Sequence, residues 1–297
     1  MGKAGPEADG AAGGPVADGP EAGGAGPRIG ASSWSAPSWE GIFYPPGLAP
    51  GRWITHYATE FDTVEIDATF YRVPDPKTVA QWRERTPPGF LFAAKVPQTI
   101  THEKMLEGCA DEMTAFVRVM EGLGDRLGPL LMQFRYFRKA EMPDPGPFLD
   151  RLERFLPALP SGPRYAVEVR NRGLLTGRLF DTLARHRVAL AFIDHPWFAR
   201  IDELMRRPEA RTADFAYVRW LGDRHGIEMV TTTWDRLIVD RAREMGRWIP
   251  ALRTLMAENR TVYGYFNNHY AGYAVGSIRL FREMWGAEAA PGPPPAG

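Results

Sequence analysis

The chain lacks most of the features that announce a chemistry. Its 297 residues include a single cysteine, Cys109, which excludes an internal disulfide and a cysteine-built metal knuckle. Neither sign of charge predominates: Lys plus Arg number 36, Asp plus Glu number 36, and the formal net charge is zero. A neutral chain has no overall attraction for nucleic acid or an anionic membrane surface, which leaves only local patches to consider. No apolar run approaches the roughly 18 residues that a bilayer-spanning helix needs, so no membrane contact is expected. The G-x-G-x-x-G fingerprint is absent after the first β-rich run, which weakens a dinucleotide fold. No G-x-S-x-G elbow surrounds Ser32 or Ser33, which argues against a serine nucleophile. The histidines show no H-x-x-x-H spacing, and no metal or other cofactor is assigned. A lone free thiol fits a cytoplasmic setting.

What is present begins with two biased ends. Residues 1–27 are almost wholly Gly, Ala, Pro, Asp and Glu, and no apolar stretch of a signal peptide follows Lys3. Such a composition cannot bury enough apolar surface to offset the entropy of ordering, so 1–27 and 286–297 are expected to be disordered tails. Between them, 28–285 is expected to be one domain. Eight short β-rich runs recur through it: RIGASS (28–33), DTVEID (62–67), FLFAAK (90–95), PLLMQF (129–134), RYAVEV (164–169), VALAFI (188–193), FAYVRW (215–220) and TVYGYF (261–266). Amphipathic stretches separate them, including PKTVAQWRER, CADEMTAFVRVMEGLGDRLG, FLDRLERFLPAL, GRLFDTLARH and WDRLIVDRAREMGRWIPALRTLMAEN. Alternating strands and helices predict a parallel sheet. Eight repeats in about 250 residues favour closure into a single (β/α)8 TIM-type barrel.

A barrel gives the polar residues of these runs a meeting place. Side chains alternate along a strand, so Glu65 shares a face with Asp67, and Glu168 with Arg170. The other face must bury against helices, which assigns the charged face to the lumen. At the C-terminal ends stand Glu65, Lys95, Gln133, Glu168, Arg170 and Arg219, with Thr101 and His102, Asp194 and His195, and Asn267, Asn268 and His269 just beyond. They form either a salt-bridge lattice that plugs the barrel or a site, and barrel ends usually carry chemistry. The loop ASSWSAPSWEGIFYPP adds Ser32, Trp34 and Tyr44, which either wall a pocket or pack the loop. YFNNHYAGYA offers ligand contacts or a capping turn. A metal could be assembled from Glu65, Glu168, Asp194 and a histidine, an arrangement that spacing cannot test. The run RYFRK, with Arg219 and Trp220, suggests single-stranded nucleic acid or a solvated loop.

Five segments together give a resemblance. IGASSWSAPSWEGIFYPPGL, FDTVEIDATFYRVPDPKTVAQWRERTPPGFLFAAKVPQTITH, GPLLMQF, YAVEVRN and VYGYFNNHYAGYA are similar to the YecE-like family, catalogued as domain of unknown function seventy-two. The resemblance covers nearly all of 28–285 and implies a TIM-type barrel, without an established activity. It implies Glu65, Thr69, Tyr71, Lys95, His102, Gln133, Glu168, Arg170, Arg219 and Asn267 as pocket residues. The chain departs from the family pattern at Asp67, Arg135-Tyr136, Asn171 and Trp220-Leu221. The leading expectation is an enzyme, a hydrolase or isomerase, acting on a small polar, anionic or hydroxylated molecule. Glu65 or Glu168 would be the base, Lys95, Arg170 and Arg219 would hold negative charge, and His102 would carry a proton. The alternative is a nucleic-acid-binding or nucleic-acid-processing barrel.

Overall fold

The structure, a computed structural model, describes residues 26–289. Most of both expected tails lies outside the described residues. The strands are β1 (Arg28–Ala31), β2 (Thr63–Ile66), β3 (Leu91–Lys95), β4 (Leu127–Gln133), β5 (Tyr165–Glu168), β6 (Ala189–Asp194), β7 (Phe215–Trp220) and β8 (Thr261–Phe266). Every ladder between them is parallel. Their order is β1-β8-β7-β6-β5-β4-β3-β2, which places β1 and β2 at the two ends of the sheet. The helices are α1 (Trp53–Tyr57), α2 (Pro76–Glu84), α3 (Ala110–Met120), α4 (Gly146–Phe155), α5 (Gly177–Arg185), α6 (Ile201–Met205), α7 (Arg224–Glu228), α8 (Ala242–Ala257), α9 (Asn268–Ala271) and α10 (Ala274–Ala289). Asp75 starts α2 by accepting the amide of Lys77 at 2.8 Å, and Pro76 supplies a helical φ at the first position.

The barrel is shut by a side chain rather than a ladder. The Tyr57 hydroxyl, from α1, accepts the Ala31 amide at 2.8 Å and donates to the Thr63 carbonyl at 3.1 Å, bridging β1 to β2. The two strands approach so closely that a Cβ on Gly30 would sit 2.0 Å from the Thr63 oxygen. Only glycine fits there.

Inside, the lower lumen is packed asymmetrically. Ala93, Ala166, Ala189 and Ala191 on β3, β5 and β6 leave room for Phe215, Tyr217, Tyr263 and Tyr265 from β7 and β8. A separate, larger core lies between the strands and the helices. The expected (β/α)8 architecture is what the chain adopts.

Two expected boundaries shift. The stretch 234–259 reads as one helix, but α8 begins only at Ala242. Ile238 and Val239 instead donate to the Ala271 carbonyl at 2.7 and 3.2 Å. They lie against Gly272, whose left-handed backbone (φ +105°) and missing Cβ admit the Ile238 side chain. At the other end, α10 runs past Trp285 to Ala289, because Ala and Glu there are good helix formers.

Candidate functional site

The strand alternation brings the charged set together at the C-terminal end of the lumen. Arg219, 1% exposed, lies at its centre. One terminal nitrogen donates to Gln133 Oε1 at 2.9 Å and Glu168 Oε2 at 2.6 Å, and the other to Glu65 Oε1 at 2.9 Å. Tyr217 donates its hydroxyl to Glu65 Oε2 at 2.6 Å, and Arg170 Nε donates to Glu168 Oε1 at 2.8 Å. Each oxygen of the two buried carboxylates therefore has a donor. Dehydrating these ions is compensated by charge-assisted bonds to every carboxylate oxygen, while Arg219 Nε is left without a partner. Burial alone would raise Glu168, but Arg219 and Arg170 overcome it and hold its carboxyl at about 2. Glu65 and Glu168 form a floor whose carboxylate oxygens are all hydrogen-bonded.

Above this floor the groups are less completely satisfied. Lys95 Nζ pairs with Asp67 Oδ1, itself partly exposed. Burial, followed by the charge of Arg219, pulls the Lys95 ammonium below its ordinary value against the attraction of Glu65 and Asp67. Arg170 is partly exposed and gives its Nε to Glu168, while its terminal nitrogens meet no protein acceptor among the described residues. His102, half-buried, shares a hydrogen bond with Thr101 Oγ1 at 2.9 Å and meets the Phe70 ring edge-on at 4.9 Å. Burial and the cations Arg135, Arg170 and Lys95 hold it below its ordinary value, against Glu168. His195 is lowered by burial and then by Arg170. The end of β3 and the segments after β4 and β5 thus supply Lys95, Arg135 and Arg170 to one mouth.

Other expected contacts are placed elsewhere. Tyr44 stacks on Trp53 of α1 at 5.1 Å and donates to the Trp34 carbonyl, while Trp34 packs edge-on to Trp82 of α2. These aromatics pack the first loop against the helices, apart from the charged mouth. Thr69 is buried, its hydroxyl directed to the carbonyls of Ile66 and Lys95, and so ties the turn after β2 to β3. Asn267 accepts the His269 amide at 3.0 Å and Asn268 accepts the Ala274 amide at 2.9 Å, so their oxygens start α9 and α10. His269 faces Asn267 and Glu228 through its two ring nitrogens. Burial nevertheless holds it below its ordinary value.

Ser32 is buried with an unpartnered hydroxyl, and strand alternation puts it on the lumen face. Tyr71 is exposed in the loop after β2. Asp194 points outward, accepting from Trp248 Nε1 at 2.8 Å, so Glu65, Glu168 and Asp194 do not converge. Among the described residues no group of three or more His, Cys, Asp or Glu side chains is arranged to hold a metal. Of the residues that suggested nucleic acid, Arg219 is enclosed, Trp220 is buried and stacked on Phe266 at 4.1 Å, and Arg135 is paired with Glu141, while Tyr136 and Arg138 are exposed. No helix among the described residues is long and apolar enough to cross a membrane.

Residue patterning did not mark Tyr57 as the closing strut or Tyr217 as a floor donor. For Tyr217 a signal existed, since it stands two residues before Arg219 on the same face.

Comparison with known proteins agrees with this architecture. A protein from Escherichia coli K12, UPF0759 protein YecE, is 35% identical over 144 residues, 48% of each chain. UPF0759 protein YunF of Bacillus subtilis is 34% identical over 58 residues, 20% of this chain and 21% of that protein. By aligned residues, the chain spans half or less of the length of the curated relatives it matches. The solved structure of a DUF72 family protein from Thermotoga maritima superposes with a TM-score of 0.68 at 25% identity, covering 88% of this chain and 98% of that one. One from Enterococcus faecalis gives 0.64 at 18% identity, covering 87% and 95%, a likeness of fold. The family model described as "Protein of unknown function DUF72" matches residues 28–296, and the chain belongs to that family.

Proposed function

We propose that the mouth of the barrel binds a small anion and performs acid–base chemistry on it, as a hydrolase or isomerase would. The observation that carries this reading is the split of the charged set into two levels. On the lower level every carboxylate oxygen is engaged by Arg219, Tyr217 or Arg170. On the upper level Lys95 has one partner, and the terminal nitrogens of Arg170 have no protein acceptor among the described residues. Donors of this kind, fixed in a partly dehydrated mouth, stabilise negative charge on a substrate or transition state. Ser32, with its buried and unpartnered hydroxyl, is a further donor.

The saturation of Glu65 and Glu168 moves the base role away from them. His102, held below its ordinary value by burial and by the surrounding cations, is the proton carrier of the mouth.

A thermal-shift screen of sulfate, phosphate and carboxylic acids tests the reading. Anions are expected to stabilise the wild type, and Lys95→Ala or Arg170→Ala to weaken binding about tenfold to a hundredfold. An equal response from wild type and both variants, or none from the wild type, would remove it.

A further inference from the structure

We propose that the anion is carried on a flat aromatic ring, its acid group resting on Lys95 and Arg170 and its ring lying between Phe70–Tyr71 and His195–Trp197. This inference rests on the anion-site reading above and deepens it.

Two of the most exposed large apolar side chains among the described residues are Trp197, at 73%, and Tyr71, at 69%. They follow β6 and β2, so both loops stand at the C-terminal end of the barrel, where the mouth is. The Tyr71 ring is linked by contacts to a cation of that mouth, and the Trp197 ring packs on a histidine that feels the charge of another. Tyr71 meets Phe70 edge-on at 5.1 Å, Phe70 meets His102 at 4.9 Å, and Lys95 Nζ lies 5.9 Å from the Phe70 ring centre. Across the lumen, Trp197 meets His195 at 5.4 Å, and His195 lies within the field of Arg170 and Glu168. The cations are thus flanked by two aromatic arms whose outermost rings remain in water.

One exposed ring on a protein surface needs no explanation. Two, on opposite sides of a mouth, one joined by contacts to Lys95 and the other packed on His195, match the demands of a ligand that is anionic at one end and planar at the other. A bare anion would gain nothing from them. A π-face stacked on either arm would also cover apolar area that is now hydrated.

The test compares inorganic phosphate with phenyl phosphate, which share an acid group and differ by one ring, in calorimetric titrations of the full chain. Phenyl phosphate is expected to bind about tenfold more tightly. Tyr71→Ala and Trp197→Ala are each expected to bring the ratio of the two dissociation constants towards one. Both side chains lie mostly in water, so thermal melts of the variants should match the wild type and exclude misfolding. A wild-type ratio near one, or a ratio unmoved by both substitutions, overturns the ring while leaving the anion reading intact. Failure of both compounds to bind overturns the two together.

Discussion

Arg219 and Lys95 are both cations enclosed by the same barrel, yet the chain should respond to their loss differently. Arg219 is the shared donor of Glu65 and Glu168, and its removal strands two dehydrated carboxylates. Arg219→Met is expected to cost about 3–5 kcal/mol in urea unfolding. Lys95 is pulled down by burial more than its partners restore, and Asp67 can return to water when released. Lys95→Met keeps the volume and removes the dehydrated charge, so the cost should stay below about 1 kcal/mol. Similar losses from the two substitutions would contradict the division into floor and mouth.

Acid should find the floor through Glu168. Its carboxyl is held at about 2 against an ordinary 4.5, so the unfolded chain binds the proton first. The stability it contributes is complete above the unfolded value and is lost as pH falls from about 5 towards 2, a change of about 3 kcal/mol. Stability measured against pH for wild type and Glu168→Gln should differ in slope over that window and run parallel above it.

At the scale of elements, the seam between β1 and β2 is the barrel's most exacting contact. Gly30→Ala would drive a Cβ into the Thr63 carbonyl, which is backbone and cannot rotate away, so this variant is expected to fail to close the barrel. Tyr57→Phe is the milder probe. It leaves the Ala31 amide and Thr63 carbonyl without their bridge, at about 2–4 kcal/mol for two buried groups. Amide exchange at Ala31 should quicken by far more than exchange in β7, whose ladders on both sides remain. Equal protection in the variant would show that the hydroxyl is dispensable.

The strands were legible in the sequence because each is a short β-rich run bounded by breakers, and a buried parallel strand has little else to be. The period of two likewise put Glu65, Glu168 and Arg219 on the lumen face. Contacts that depend on distant partners were not legible. Residues 234–241 carry a helical pattern, but Ala271 and Gly272 draw Ile238 and Val239 out of it. Trp34 and Tyr44 read equally well as a pocket wall, since nothing in their spacing reveals that Trp82 and Trp53 receive them. Asp194 has the parity of Phe192 and so turns outward to Trp248, a partner that its place at the strand end does not reveal.

For the molecule as a whole, opposite charges balance, and the mouth gathers Lys95 and Arg170 around His102, so ligand binding there should be linked to a proton. An anion placed among Lys95, Arg170 and His102 favours the imidazolium form, which burial and the neighbouring cations oppose in the free protein. Binding must then take up a proton, and affinity must rise as pH falls below the ordinary His102 value of 6.5. Sulfate is a suitable probe because its own charge stays fixed between about pH 5 and pH 8, so any trend belongs to the protein. Binding of a hundredfold excess over Kd adds about 2.7 kcal/mol to stability, a shift of roughly 5–10 °C for a domain of this size. That shift should grow on acidification in the wild type and flatten in His102→Asn, with His195→Asn as the comparison that separates the two rim histidines. If the wild-type shift is level across this range, the proton carrier is not in contact with the bound charge, and the chemistry assigned to His102 falls even where the anion still binds.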